Sequence, residues 1–235
     1  MTRKFEGQLA LVTGASRGIG AAIAHKLAAE GAHVVLTARS AGALEQVEEA
    51  IHAAGGTATI APLDLAESDS IAKLATAIGE RWPALDMLVL NAATLGSLSA
   101  VPAIDPGEFA RVMTLNVSAQ AALIAAFDPL LRKSTDARVV AMTSSVGRQP
   151  RAYWGGYGAS KAAMETLVLA YGEEVSGVSK VRVAVIDPGA TRTRMRERAY
   201  PGEDPASVKP PEAVAERIAA LLGEDFVSGH CERVG

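Results

Sequence analysis

Six short, β-branched apolar runs recur along the chain, separated by longer alanine-rich stretches, and few folds accommodate that rhythm. The runs cover residues 8–13, 33–38, 57–62, 87–92, 138–143 and 181–186. Each is apolar without clear alternation, as strands buried on both faces of a parallel sheet require. The stretches between them predict helices near 19–30, 41–54, 68–81, 106–131, 157–175 and 211–222. Strict strand–helix alternation implies right-handed βαβ crossovers. The expected fold is therefore α/β: a single-domain, Rossmann-type doubly wound parallel sheet with helices on both faces, spanning 1–235. A further short strand is expected at 230–234, and an exposed proline-rich loop at 199–211.

Composition agrees with one globular unit, at 49% hydrophobic and 21% charged residues. A net charge of −3 gives no nucleic-acid footprint. The lone Cys231 cannot close an internal disulfide, which fits a reducing compartment. The apolar run near the N-terminus is too short for a signal segment or a membrane span. The expectation is a cytoplasmic protein with no membrane or nucleic-acid partner, and no metal site is expected.

Directly after the first run stands "TGASRGIG", residues 13–20. Gly14, Gly18 and Gly20 permit a tight turn and close approach of backbone to a pyrophosphate, with Ser16, Arg17 and Ile19 on the same turn. The helix that follows offers free N–H groups and the positive end of its dipole. This strand–turn–helix context is the one that dinucleotide binding needs. At the end of the second run, Ala38 stands where NAD sites carry an acid, and Arg39 follows. Arg39 and Arg17 could both meet a 2′-phosphate, so NADP(H) is expected in preference to NAD(H).

Tyr157 precedes Lys161 by four residues at the start of a predicted helix, which puts both on one face. A nearby ammonium favours phenolate and lowers the tyrosine pKa, so the pair is a candidate general acid/base device. Two hydroxyls, Ser144 and Ser145, follow the fifth strand where α/β ligand crevices form. Asn116 lies inside a predicted helix, a poor place for Asn unless its amide has a specific partner.

In order along the chain, these motifs resemble the short-chain dehydrogenase/reductases, and the resemblance covers nearly the whole sequence. It implies a catalytic tetrad of Asn116, Ser144, Tyr157 and Lys161. Ser144 is chosen over Ser145 because the family's serine lies thirteen residues before the tyrosine and has a glycine, here Gly147, three residues after it. It also implies that Asp64 and Leu65 hold adenine, and that Asn91 and Ala92 lie by the cofactor. "PGATRT", with Pro188, Gly189, Thr191 and Thr193, would cover the nicotinamide. Leu90 and Ala93 depart from the family's Asn-Asn-Ala-Gly motif. Trp154 stands where enoyl reductases of the wider family carry tyrosine, which disfavours C=C reduction. The implied reaction is hydride transfer between NADPH and a carbonyl or secondary alcohol, with Tyr157 as acid/base, Ser144 polarising the oxygen, Lys161 holding the nicotinamide ribose and Asn116 positioning a water that links Lys161 to solvent.

Two stretches, 143–161 and 187–205, narrow the likeness to the YciK-type branch of proteobacterial oxidoreductases. Arg192, Arg194, Arg196 and Arg198 alternate along a segment expected to act as a lid around 190–210, with Arg148 and Arg151 on the facing loop. Such a cluster suits an anionic substrate. Tyr153 and Trp154 are candidates for the pocket wall. The alternatives are a catalytically idle NADP-sensing regulator and, as a narrower substrate class, a 3-oxoacyl-thioester reductase. The family resemblance further implies a homodimer or homotetramer.

Overall fold

A computed structural model describes residues 3–67 and 69–235. Its strands are β1 (Leu9–Thr13), β2 (His33–Ala38), β3 (Thr57–Pro62), β4 (Met87–Leu90), β5 (Arg138–Met142), β6 (Arg182–Asp187) and β7 (His230–Arg233). They form one sheet in the order β3-β2-β1-β4-β5-β6-β7, every neighbouring pair parallel. The helices are α1 (Gly18–Ala29), α2 (Ala41–Ala53), α3 (Ser70–Arg81), α4 (Pro106–Met113), α5 (Ala119–Leu131), α6 (Ser145–Arg148), α7 (Gly155–Val175), α8 (Arg194–Ala199) and α9 (Pro211–Leu222). Ser68, the expected start of the third helix, lies outside the described residues.

The apolar runs read as predicted because the sheet is covered twice. Ala10 and Val12 of β1 face one core, shared with Leu27 of α1, Leu44 of α2 and Ile218 of α9. Leu9 and Leu11 face the other, shared with Leu74 of α3, Phe127 of α5 and Val168 of α7. The 106–131 segment is long and apolar enough to cross a membrane, with a mean hydropathy of 1.3. Leu123, Phe127, Leu130 and Leu131 of that segment are spent on the second core.

Strand order reverses between β1 and β4, so their carboxyl ends diverge and leave the crevice where doubly wound sheets bind ligands. β4 stops at Leu90, two residues short of expectation, because the next residue leaves the ladder. The Asn91 and Ala92 N–H groups both donate to Thr13 Oγ1, at 2.9 and 3.0 Å. The 106–131 helix is likewise not continuous: a π turn over Thr114–Ser118 interrupts it. The expected 199–211 loop contains a 3₁₀ turn, Pro205–Ser207.

Candidate active site

The turn between β1 and α1 owes its shape to glycine at three positions. Gly14 and Gly18 hold left-handed backbone, with φ of 66° and 57°, a conformation costly for other residues. Gly20 is required by space, since a Cβ there would lie 2.3 Å from the Gly14 carbonyl oxygen. The first N–H groups of α1 lack intrahelical partners and sit at the positive end of the dipole. Across from them stands the Thr193 methyl, which a Cβ on Gly18 would approach to 3.4 Å. A floor without side chains and a row of donors fit a dinucleotide's pyrophosphate.

Ser16 and Ile19 are half-buried on this turn, while Arg17 and Arg39 are exposed. Neither arginine forms an ion pair among the described residues. After β3, Leu65 is buried. The Asp64 carboxylate accepts from Ala66 N at 3.0 Å, which fixes the turn there. Asn91 Nδ2 donates to the Thr13 carbonyl at 2.8 Å, stitching β1 to β4 at the switch point.

Past β6, the segment from Pro188 is fastened by side chains. Gly189 has φ 63° and donates its N–H to Asp187 Oδ1 at 2.9 Å. The buried Thr191 donates its hydroxyl to the Pro188 carbonyl at 3.1 Å. Thr193 caps α8 by accepting from Arg196 N.

Tyr157 and Lys161 occupy the first two turns of α7 and are both buried. The Tyr157 hydroxyl has no hydrogen-bond partner among the described residues. Lys161 Nζ donates to the Met142 carbonyl at 2.7 Å and lies 5.8 Å from the tyrosine ring centroid. Burial lowers the lysine pKa to about 8. The tyrosine's pKa is raised, first by burial and then by the Asp187 carboxylate. The direction is opposite to the depression expected from the ammonium, because burial and the Asp187 carboxylate both disfavour the phenolate. Ser144, extended at φ −157°, sits at the N-cap position of α6 without spending its hydroxyl on the cap.

Asn116 is 1% exposed. Its Nδ2 donates to the Thr94 carbonyl at 2.8 Å and to Ser160 Oγ at 2.9 Å, and its Oδ1 accepts from Thr94 N at 2.8 Å. Those three bonds explain why Asn sits within a helical segment, and the π turn is centred on it. Both amide protons are used, so the side chain ties the loop after β4 to α7.

Tyr157 forms a small apolar cluster with Leu95 and Val146, and Leu98, Trp154, Met195 and Ala199 pack against it. Trp154 stands edge-on to Tyr157 at 6.0 Å and tilted against Tyr200 at 5.8 Å. Tyr153, its expected companion in the wall, is 62% exposed with a φ of 72°, and stands apart from this cluster. Two of the six arginines expected to face an anion carry acids of their own. Arg148 pairs with Glu165. Arg196 pairs with Glu203 through two bonds and stacks 3.7 Å over the Tyr200 ring.

Thr13, Ser160, Glu165 and Asp187 belong to the site and were not singled out from the sequence. Thr13 and Asp187 each end a strand next to a glycine motif, and that adjacency is the signal that could have found them. Glu165 follows Lys161 by one turn inside an apolar helix face, where a carboxylate is out of place without a partner.

Residues 8–204 match the model of the short chain dehydrogenase family. The uncharacterized oxidoreductase YciK of Escherichia coli K12 is 38% identical over 221 residues, 93% of this chain and 87% of the relative. A 3-oxoacyl-[acyl-carrier-protein] reductase of rhamnolipid biosynthesis from Pseudomonas aeruginosa is 38% identical over 198 residues, 80% of this chain and 75% of that protein. Among solved structures, a short chain dehydrogenase from Escherichia coli CFT073 complexed with NADPH superposes with a TM-score of 0.94 at 37% identity, covering 100% of this chain and 99% of that one. With the switch-point crevice, the glycine turn and a match that runs nearly end to end, the chain belongs to the short chain dehydrogenase family.

Proposed function

We propose that this oxidoreductase interconverts a carbonyl and a secondary alcohol, using NADP(H) in preference to NAD(H). The observation that carries the reading is the buried Tyr157 hydroxyl, without a hydrogen-bond partner among the described residues, one turn from a buried Lys161. The glycine turn and the α1 N-terminus would hold the pyrophosphate, with Ser16, Ile19, Asn91, Ala92 and the 188–193 segment around it. Asp64 and Leu65 would flank the adenine, and Arg17 and Arg39 the 2′-phosphate. When bound, NADPH supplies the hydride that reduces the carbonyl carbon.

The protein's own residues manage the oxygen. Ser144 donates a hydrogen bond to it and polarises the bond under attack. Tyr157, kept protonated by burial, gives it the proton. Lys161 holds positive charge beside the phenolate that forms. Asn116 fixes the spacing between the β4 loop and α7.

A catalytically idle NADP sensor would need only the turn and the arginines, and it leaves the Tyr157–Lys161 pair without a use. NADPH oxidation against neutral diketones, aldehydes, keto acids and 3-oxoacyl thioesters tests the reading. Tight NADPH binding with no turnover anywhere in that panel would favour the sensor. Preference for the acids or thioesters would assign an anionic substrate to Arg192, Arg194 and Arg198, the lid arginines that remain exposed. Arg39→Ala is expected to raise the KM for NADPH about tenfold to a hundredfold, the worth of one charge-assisted bond, and to leave the KM for NADH unchanged. Equal effects on both cofactors would remove Arg39 from the phosphate site.

Ala122 and Ala125 lie on the exposed surface of α5, and Leu167, 41% exposed, on that of α7. Those surfaces support a homodimer or homotetramer built through these helices, and the reading places the protein in the cytoplasm.

A further inference from the structure

Glu165 is a buried carboxylate that the chemistry above does not use. It lies one turn beyond Lys161 and two beyond Tyr157 on α7, and it is 9% exposed. A buried charge requires partners, and it has two. Oε2 accepts from Thr143 Oγ1 at 3.0 Å, and Oε1 accepts from Arg148 Nε at 2.5 Å. Thr143 immediately precedes Ser144, and Arg148 is the last residue of the short helix that follows Ser144. One carboxylate therefore grips both ends of the segment carrying the serine. It does so from the helix face that carries the tyrosine and the lysine.

The seat beneath that segment is shaped to match. A Cβ on Gly147 would lie 3.0 Å from Ala162 N, and one on Gly158 would lie 2.7 Å from the Val146 carbonyl oxygen. The 144–148 turn thus rests flush on α7, and Glu165 keeps it from sliding or lifting. Ser144 makes no capping bond of its own, so the placement of its hydroxyl depends on these neighbours.

We infer that Glu165 is a positioning residue, which acts through Thr143 and Arg148 to hold Ser144 in register with Tyr157. The inference rests on the reading of Ser144 as the hydroxyl that polarises the carbonyl. Displacing a catalytic group by about 1 Å can cost about a hundredfold in rate. Arg148, expected to meet an anionic substrate, spends its Nε on this bracing contact.

A double-mutant cycle tests it, using a carbonyl that the wild type reduces. Glu165→Gln keeps the shape of the side chain but can satisfy only one of the two donors. It is expected to lower kcat about tenfold to a hundredfold, with the dissociation constant for NADPH unchanged. In a Ser144→Ala background the same substitution should change kcat by less than about twofold, because the group it positions is gone. Equal losses in both backgrounds, or no loss in the wild type, would overturn the inference. A Ser144→Ala protein with full activity would instead overturn the reading of Ser144. Amide hydrogen exchange on the cofactor-free protein gives a second measurement that needs no substrate. Glu165→Gln should speed exchange across 143–149 while 18–29 stays protected, and unchanged exchange at 143–149 counts against the brace. If Glu165→Gln does not fold, Thr143→Val removes one of the same ties and takes its place in both experiments.

Discussion

Tyr157→Phe is expected to lower kcat for carbonyl reduction by about a thousandfold, within the 10²–10⁴ range of general acid catalysis, while the protein folds and binds NADPH as before. The substitution deletes one oxygen that has no partner among the described residues. The ring itself stays wedged against Leu95 and Val146, with Trp154 at its edge. The Tm should therefore stay within a few degrees of wild type. The raised pKa of the phenol sets the direction of its pH dependence. A raised pKa keeps the proton on the oxygen throughout the neutral range, which suits a donor. Oxidation of an alcohol needs the phenolate, so its rate should climb with pH while reduction stays level through neutrality. Steady-state rates in both directions, with a fluorescence titration of NADPH, measure all of this. A variant that keeps more than about a tenth of wild-type kcat would show that the proton comes from elsewhere.

The pattern that announces this site is local, and what tunes it is not. β2 and β3 end where their apolar runs end, at Ala38 and Pro62, the last pair of the ladder between them. β4 ends early because a threonine hydroxyl from β1 captures the next two N–H groups, and that contact spans more than seventy residues of sequence. The same holds for Asn116. Its presence in a helical segment signals a partner, but that the partners are Thr94 and Ser160, across a π turn, depends on how α4 and α5 dock against α7. The arginines show the limit most plainly. Six of them on two facing segments suggest a receptor for an anion. Only the fold reveals that Arg148 reaches Glu165, seventeen residues away, and that Arg196 folds back on Glu203 and Tyr200. The sign of the Tyr157 shift was hidden for a related reason. Spacing tells which groups are neighbours in sequence, but not that the phenol is buried with the Asp187 carboxylate acting on it.

Lys161→Met should separate the requirements of catalysis from those of stability. Lys161 is buried and its pKa is lowered from 10.5 to about 8 by that burial. Below pH 8 the folded protein holds the ammonium in a poorly solvated place. Between pH 8 and 10.5 the unfolded chain keeps a proton that the folded chain has released, so stability rises with pH across that window. A shift of this size corresponds to about 3 kcal/mol. Against it stands the bond to the Met142 carbonyl, an interaction of about 1.5–3 kcal/mol when the donor is charged. Methionine has a similar length and no charge, so it removes the burial cost together with that bond. At pH 7 the two changes nearly offset, and the variant should melt at or above the wild-type Tm. At pH 10 the wild type has recovered most of its cost, and the variant should melt below it by about 5–10 °C, given about 2–4 °C per kcal/mol for a chain of this size. Reduction of the carbonyl should be lost at both pH values. Calorimetric scans of the two proteins at pH 7 and pH 10 provide the test, since other titrating groups are common to both and cancel in the difference. A Tm difference that does not change with pH would mean that Lys161 keeps an ordinary pKa and is solvated in the folded protein. Loss of activity with the predicted crossover in Tm would show that the buried ammonium is retained for the reaction at a cost to the fold.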